Sequence, residues 1–350
     1  MNQRLDWDLL AHLSVAPGIG GCEDAVRAVV LDYLADIEVD VTVDNLGNVI
    51  AVKGTNGPLI AMSAHMDEIG FMVSHIDEDG FLSLQPVGFW EAKTLNAQQV
   101  TVTNSAGLEL LGTIQAGRGV PPYPDGPKVE QATIQEFYVD LGLDHDQVHD
   151  VVELGDMVTM RRQFTQTDTT VSGKSLDDRA GLFAMLEAFR RVDTTDVQVA
   201  MVASVQEEVG CRGAEVAAYL LNADFAIGLD VTQAIDLPPA KPRESVTRLH
   251  HGVAIKLFDK SMLPNRKLNR HLRDIAERNS IPYQLEVLPV GGQDGASFQQ
   301  SRAGIVATTL SIPTRYLHSP NERASKRDIG AMVDLLVAAL PEIGTRSYIG

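Results

Sequence analysis

Two adjacent glutamates, Glu207 and Glu208, follow an apolar run over residues 197–205 that predicts a buried strand. Gly210 breaks the pattern, so both carboxylates fall where a core strand ends. Two like charges in a half-buried place raise each other's pKa, and a metal cation is a common compensation. The pair therefore predicts general-base catalysis beside a metal ion. For an isolated pair of glutamates, a solvated acidic turn would be the better interpretation.

A histidine and an aspartate follow a second predicted strand. Residues 59–63 form a continuous apolar run, and His65 and Asp67 come directly after it. Neutral imidazole is a common zinc ligand, and a carboxylate that accepts its other ring hydrogen fixes the tautomer. A core histidine with satisfied hydrogen bonds is the competing interpretation, but the place at a strand end favours a metal ligand.

Three further residues with ligand chemistry occupy comparable places. Asp177 precedes a predicted helix, Asp230 ends an apolar run, and His318 follows the last predicted core strand. Two histidines and three carboxylates are the donors wanted by a pair of zinc-like ions that share one bridging carboxylate. The five candidate metal ligands are His65, Asp177, Glu208, Asp230 and His318.

The elements that position these residues predict two domains. Strands and helices alternate before residue 70 and after residue 164, which predicts an α/β fold with a mixed, largely parallel central sheet flanked by helices. Residues 71–163 instead contain short alternating segments between Gly, Pro, Asn and Asp turns, which predicts a small inserted β-domain, all-β and barrel-like. We therefore expect a catalytic domain formed by 1–70 plus 164–350. The loop over 117–124 is predicted to be a mobile connection.

Composition excludes several functions. The chain has 350 residues, of which 44% are hydrophobic, and its net charge of -18 argues against nucleic acid or an anionic membrane as its main partner. It contains two cysteines, which favours a reducing, cytoplasmic location. The first residues lack the basic-then-apolar layout of a signal peptide, and no apolar run is long enough to cross a bilayer.

Five motifs in order carry a resemblance to a known family. They are AHMDEIG at 64–70, LDDR at 176–179, QEEVG at 206–210, LDV at 229–231 and PTRYLHS at 313–319. The sequence resembles metallopeptidase family forty-two, which contains the glutamyl, tetrahedral (TET) and deblocking aminopeptidases, some of them once labelled endoglucanases. The resemblance spans nearly the whole chain, including the β-domain inserted after the first motif.

The resemblance implies a role for each site residue. Asp177 would bridge two divalent ions in a zinc-peptidase-like domain, and Asp67 would orient His65. His65, Glu208, Asp230 and His318 would be terminal ligands, and Glu207 would be the general base. The ligand set favours zinc and leaves cobalt and manganese open. The peptide bond after Asp177 is expected to be cis.

The activity implied is removal of N-terminal residues from short peptides, with acidic N-termini as the suggested preference and Lys260 or Arg266 as conceivable counter-charges. The family assembles through the β-domain into dimers and tetrahedral dodecamers, so a homo-oligomer is expected. Departures from the family pattern at 248–252 and 291–295 affect the side-chain preference and assembly more than the reaction.

Other interpretations use the same residues. A deacylase of N-acyl amino acids or a carboxypeptidase could operate on this metal site, and free-amine and N-blocked substrates separate them. A non-catalytic scaffold is the alternative from a different class, although the presence of Glu207 counts against it. A glycan hydrolase is disfavoured because strand-end histidines have no role in its chemistry.

Overall fold

The computed structural model describes residues 5–117 and 132–348, so most of the predicted loop 117–124 lies outside the described residues. The helices in this part of the chain are α1 Trp7–Val15, α2 Asp24–Ala35, α3 His145–Val151, α4 Leu176–Arg191, α5 Arg212–Leu221, α6 Arg266–Arg278, α7 Asp294–Gln300 and α8 Lys326–Ile343. None of them is both long and apolar enough to cross a membrane.

The strands in the same residues are β1 Asp40–Val43, β2 Val49–Lys53, β3 Leu59–His65, β4 Gly70–Ile76, β5 Leu82–Val87, β6 Gln98–Thr103, β7 Glu109–Ala116, β8 Phe137–Asp140, β9 Met157–Met160, β10 Thr165–Gln166, β11 Thr170–Gly173, β12 Gln198–Ser204, β13 Phe225–Gln233, β14 Val253–Phe258, β15 Tyr283–Val287, β16 Val306–Arg315 and β17 Glu322–Ser325.

Eleven of these strands form one mixed sheet with a parallel centre. Its order is β1-β2-β12-β3-β13-β16-β17-β11-β10, and β14 joins β15 to β16. The four central strands, β12, β3, β13 and β16, are parallel to one another. The strands outside them in this order are joined by antiparallel pairs. The parallel centre brings the carboxyl ends of four strands to one edge, which is where ligands bind in sheets of this kind.

Helices cover both faces of the sheet because the central strands are apolar on both sides. Met62 of β3 lies in the larger core, with residues of α1, α2, α4, α6 and α8. The neighbouring Ala61 points the other way, into a smaller core formed with α5 and α7. Successive side chains of β3 therefore pack into the cores on opposite faces of the sheet. The predicted α/β fold class is confirmed.

The strands β4 to β9 form a closed antiparallel barrel in the order β4-β5-β8-β7-β6-β9. The barrel has its own core, which includes Phe71, Trp90 and Val100. The same segment of the chain also forms the helix α3, whose Val148 packs into this core and which the sequence pattern did not predict. β4 begins five residues after His65, so the barrel wall starts beside the candidate site. The barrel strands fall close to the predicted insert 71–163, whose status as a separate domain stays a prediction.

Candidate metal and active site

His65 is the last residue of β3, a central strand paired on both sides. Its side chain is 2% exposed. Nε2 lies 3.2 Å from Asp177 Oδ1, and Nδ1 lies 2.9 Å from the backbone carbonyl of Asp67. The strand pairing thus fixes the position of the imidazole, and the Asp177 carboxylate and the Asp67 carbonyl fix the orientation of its ring.

The Asp67 carboxylate makes two backbone contacts in addition to its approach to His65. It accepts hydrogen bonds from the backbone N–H groups of Glu207 at 2.9 Å and Glu208 at 3.1 Å. Its Oδ1 is 3.5 Å from Nδ1 of His65, so the hydrogen-bond distance to the ring belongs to the carbonyl. Asp67 therefore ties the turn after β12 to the end of β3, which joins two of the predicted motifs.

Asp177 lies in an irregular first turn of α4, where its φ of -78° and ψ of 110° are not helical. The peptide bond to Asp178 is cis, as expected. Asp177 Oδ1 is 3.2 Å from Nε2 of His65, and Oδ2 is 3.1 Å from Nε2 of His318. Burial alone would raise the pKa of Asp177, but the hydrogen bonds with the two histidines outweigh it and lower the pKa. The two oxygens of one carboxylate thus face two different histidines.

Glu207 and Glu208 follow β12 in a turn that begins at Gln206, whose φ is 58°. Burial raises the pKa of the Glu207 carboxyl to about 7. Glu207 Oε1 accepts a hydrogen bond from the Cys211 thiol at 3.3 Å. Its Oε2 lies 3.9 Å from Nε2 of His65, while Glu208 Oε1 lies 3.8 Å from Nε2 of His318. Each glutamate therefore faces a different histidine.

Asp230 lies in β13, beside Ser311 of β16. A ligand atom of Asp230 lies within 4.8 Å of ligand atoms of both His65 and Asp178. Oδ2 of Asp178 is buried and has no hydrogen-bond partner in the described residues. Sequence reasoning assigned Asp178 no ligand role. Its only sequence signal was its place next to Asp177.

His318 lies in the loop between β16 and β17, with a left-handed φ of 55°. Its side chain is 29% exposed, which is far more than that of His65. Its backbone N–H donates to Oε1 of Glu322 at 3.0 Å, and Oε2 of the same carboxylate accepts from the backbone N–H of Asp177 at 3.0 Å. Glu322 is not among the residues predicted from sequence, because its partners are backbone N–H groups, one of them 145 positions away at Asp177.

The donor atoms fit divalent ions. Two ligand atoms that are each about 2.0 Å from a tetrahedral ion stand about 3.3 Å apart. The separations of 3.2 Å and 3.1 Å between Asp177 and the two histidines are close to that value. His65, Asp177 and Glu208 form one group of ligand atoms within 4.8 Å of one another. All five candidate ligands are thus brought together, and imidazole with carboxylate is a donor set that suits zinc, cobalt or manganese.

A cavity of about 1310 Å³ opens directly onto these residues. Asp177, Glu207, Glu208, Asp230 and His318 all contribute to its wall. The remaining wall combines apolar side chains with a few polar ones, among them Phe89, Thr232, Lys256, Leu288, Val290 and Arg323. The space is large enough for a peptide segment, so the cluster can reach a substrate.

Several known proteins that are similar to this chain are aminopeptidases. A lysyl aminopeptidase from Pyrococcus furiosus is 34% identical over 97% of this chain and 98% of that protein. An aminopeptidase structure from Desulfurococcus kamchatkensis has a TM-score of 0.93 at 33% identity and covers 99% of both chains. The TET1 peptidase of Pyrococcus horikoshii, which can assemble into a tetrahedron or a large octahedral shell, has a TM-score of 0.85 at 29% identity, over 95% of this chain and 98% of that one.

The chain belongs to the M42 glutamyl aminopeptidase family, whose family model matches residues 47–335. The match includes the barrel and all five candidate metal ligands. The predicted family, fold class and aminopeptidase activity are therefore confirmed. The individual roles of the site residues and the identity of the metal stay predictions.

Proposed function

We propose that this aminopeptidase uses two divalent ions per subunit, bridged by Asp177. The observation that carries the proposal is that the two Asp177 oxygens face His65 at 3.2 Å and His318 at 3.1 Å. His65 and Asp230 form the strand side of the site, since both lie on central strands. Glu208 and His318 form the loop side, since both lie beyond strand ends. Each side would hold one ion together with Asp177.

When bound, the ions lower the pKa of a water and polarise the scissile carbonyl. Zinc is the ion we propose first, with cobalt and manganese as alternatives under different availability. The acidic ligands Asp177, Glu208 and Asp230 offset most of the ionic charge, so the centre stays close to neutral.

Glu207 is the proposed general base. A carboxyl group whose pKa is about 7 can take a proton from water and return it to the leaving amine at neutral pH. The hydrogen bond from Cys211 to Oε1 holds the side chain in place and leaves Oε2 on the side of His65. Asp67 contributes by fixing the backbone of Glu207. These residues therefore position and move the proton, whichever divalent ion is bound.

The proposed substrates are short peptides with a free amino terminus, with acidic N-terminal residues preferred. Lys256 is a buried cation on the cavity wall. Burial alone would lower its pKa, but Glu286 and Asp259 raise it overall, so the ammonium is charged at neutral pH. Lys260 and Arg266, the counter-charges considered from sequence, do not line the described cavity. Lys256 takes their place in the proposal.

We further propose a homo-oligomer, from dimer to dodecamer, in which the barrel makes contacts between subunits, and a cytoplasmic location. The assemblies of TET1 peptidase support the first, and two free cysteines, Cys22 and Cys211, support the second. Native mass spectrometry tests the assembly. A monomer at working concentration would contradict it.

The test of function combines metal analysis with hydrolysis of aminoacyl-anilides and their N-acetylated counterparts. We expect close to two ions per chain, cleavage of free-amine substrates, and loss of cleavage after chelation with recovery on metal return. Two bound ions with cleavage only of N-blocked substrates would move the assignment to a deacylase. Tightly bound ions without any cleavage would favour a scaffold.

A further inference from the structure

Glu322 is a buried carboxylate that the proposed mechanism does not use. It begins β17 and is 2% exposed. Its backbone pairs with Gly173 of β11, which fixes the residue in the sheet. A buried carboxylate is costly unless hydrogen-bond donors surround it. The hydrogen-bond donors around the Glu322 carboxylate therefore indicate its role.

Both carboxylate oxygens of Glu322 accept hydrogen bonds from the backbone of candidate metal ligands. Oε2 accepts from the backbone N–H of Asp177 and Oε1 from that of His318, each at 3.0 Å. A buried backbone N–H without a partner is costly, so each of these hydrogen bonds holds its segment against Glu322. One side chain thus links two residues that are 141 positions apart in sequence (318 − 177).

The two linked segments lack regular structure of their own at these points. Asp177 departs from helical geometry, and His318 has a φ of 55° in a loop. Within residues 5–117 and 132–348, the partner of each of these backbone N–H groups is the Glu322 side chain rather than a sheet or helix carbonyl. The strand residue Glu322 therefore supplies the rigidity that the loop side of the site lacks.

We propose that Glu322 is a positioning residue of the metal centre. It fixes the backbone of His318 relative to that of Asp177, and so sets the affinity of the loop side for its ion. The inference rests on the proposed dinuclear site. The strand side depends on it less, because His65 is paired with Ser204 of β12 and Asp230 with Ser311 of β16 within the sheet.

Glu322→Gln is the sharpest variant, because the amide has the same shape but keeps only one acceptor oxygen. Whichever way it turns, one of the two backbone N–H groups loses its partner. Glu322→Asp keeps the carboxyl group but is one methylene shorter, so it cannot span both donors. If positioning is the role, both variants share the defect. If only the presence of a carboxyl group matters, Glu322→Asp behaves as the wild type.

The chain offers a matched control in Asp328. Its carboxylate is also buried and also accepts two backbone N–H groups of a loop, those of His250 and Gly252, each at 2.7 Å. These contacts involve none of the candidate ligands. Asp328→Asn should therefore lower thermal stability without changing metal binding.

The experiment is calorimetric titration of metal-free full-length protein with Zn²⁺, with thermal unfolding measured in parallel. We expect wild type to bind two ions, and Glu322→Gln and Glu322→Asp to bind one normally and the other about 10–100-fold more weakly. Asp328→Asn should bind both as wild type does.

Three results would overturn the inference. They are unchanged affinity for both ions in the Glu322 variants, equal weakening of both ions, or the same loss in Asp328→Asn. Failure of the wild type itself to bind two ions would instead overturn the dinuclear function on which the inference rests, so the two failures can be told apart.

Discussion

The two sides of the proposed metal site are built in different ways. On the strand side, His65 and Asp230 lie within β3 and β13, and His65 is 2% exposed. On the loop side, His318 follows β16 in a left-handed conformation and is 29% exposed. The sheet holds the first side, whereas single carboxylates hold the second. A site can thus combine a rigid half with a half whose geometry depends on individual hydrogen bonds.

The carboxylates that hold the loop side both accept backbone N–H groups. Asp67 fixes Glu207 and Glu208, and Glu322 fixes His318 and Asp177. Loops near a sheet edge carry function because their backbone is free to point side chains at a ligand. Here that freedom is removed by buried acceptors. The comparison predicts that variants on the two sides lose metal and activity in different proportions.

The largest effect is expected for Glu207→Gln, which belongs to neither side. Metal content should stay close to the wild-type value, while kcat falls by about 10²–10⁴-fold because the proton acceptor is gone. The measurement is turnover of an aminoacyl-anilide together with metal analysis of the same sample. Glu215→Gln, at an exposed position on α5, is the matched control. Wild-type turnover in Glu207→Gln would remove Glu207 as the base.

Next come the two histidines, which compare the sides directly. His318→Ala should lose one ion, with affinity reduced by more than about 100-fold, and its metal-free form should keep the thermal stability of metal-free wild type because the side chain is partly exposed. His65→Ala should lose an ion and also unfold at lower temperature, because it leaves a hole at the end of a central strand.

Metal titration and thermal unfolding of both variants provide the measurement, with His149→Ala on the exposed face of α3 as control. Unchanged metal affinity in His318→Ala would refute its ligand role. Equal thermal destabilisation by the two changes would contradict the difference between the sides.

A smaller effect is expected for Asp67→Asn, which weakens the connection between the sides. The amide can accept from only one of the backbone N–H groups of Glu207 and Glu208, so one hydrogen bond to a charged group is lost. A cost of about 1.5–3 kcal/mol corresponds to roughly 10–150-fold in kcat/KM. Asp156→Asn, at another buried aspartate that accepts a backbone N–H, is the control. Full activity in Asp67→Asn would mean that the turn after β12 keeps its conformation without both hydrogen bonds to Asp67.

Much of the strand side could be predicted from sequence. Apolar runs followed by His65 and Asp230 mark strand ends, and parallel strands bring those ends to one edge. The same reasoning grouped Glu208 and His318 with them, as the structure does. Local patterns therefore suffice where a side chain is positioned by the element that carries it.

The remainder depends on contacts that no local pattern contains. The partners of Glu322 are backbone groups of Asp177 and His318, and a backbone N–H leaves no mark in the sequence. The helix α3 is too short to show a periodicity inside a segment rich in turns. Asp178 reads as a helix-starting aspartate until the fold brings it beside Asp230.

The smallest effect concerns selectivity rather than rate, at the cavity wall. If Lys256 receives an acidic N-terminal side chain, Lys256→Met should lower kcat/KM for a glutamyl-anilide relative to a leucyl-anilide by about tenfold or more. Since Lys256 pairs with Glu286 at 2.8 Å, the double variant with Glu286→Gln removes the opposite charge too and guards against simple unfolding. Lys260→Met, at an exposed lysine, is the matched control.

Both sides of the metal site should keep their ions in these Lys256 variants, since neither Lys256 nor Glu286 is among the candidate ligands. A changed selectivity with unchanged metal content therefore separates recognition of the substrate side chain from assembly of the site. An unchanged ratio between glutamyl- and leucyl-anilide would exclude Lys256 as the selecting residue. A ratio that rises would mean that the negative charges of Glu286 and Asp259 dominate this wall, and that basic N-termini are the preferred substrates.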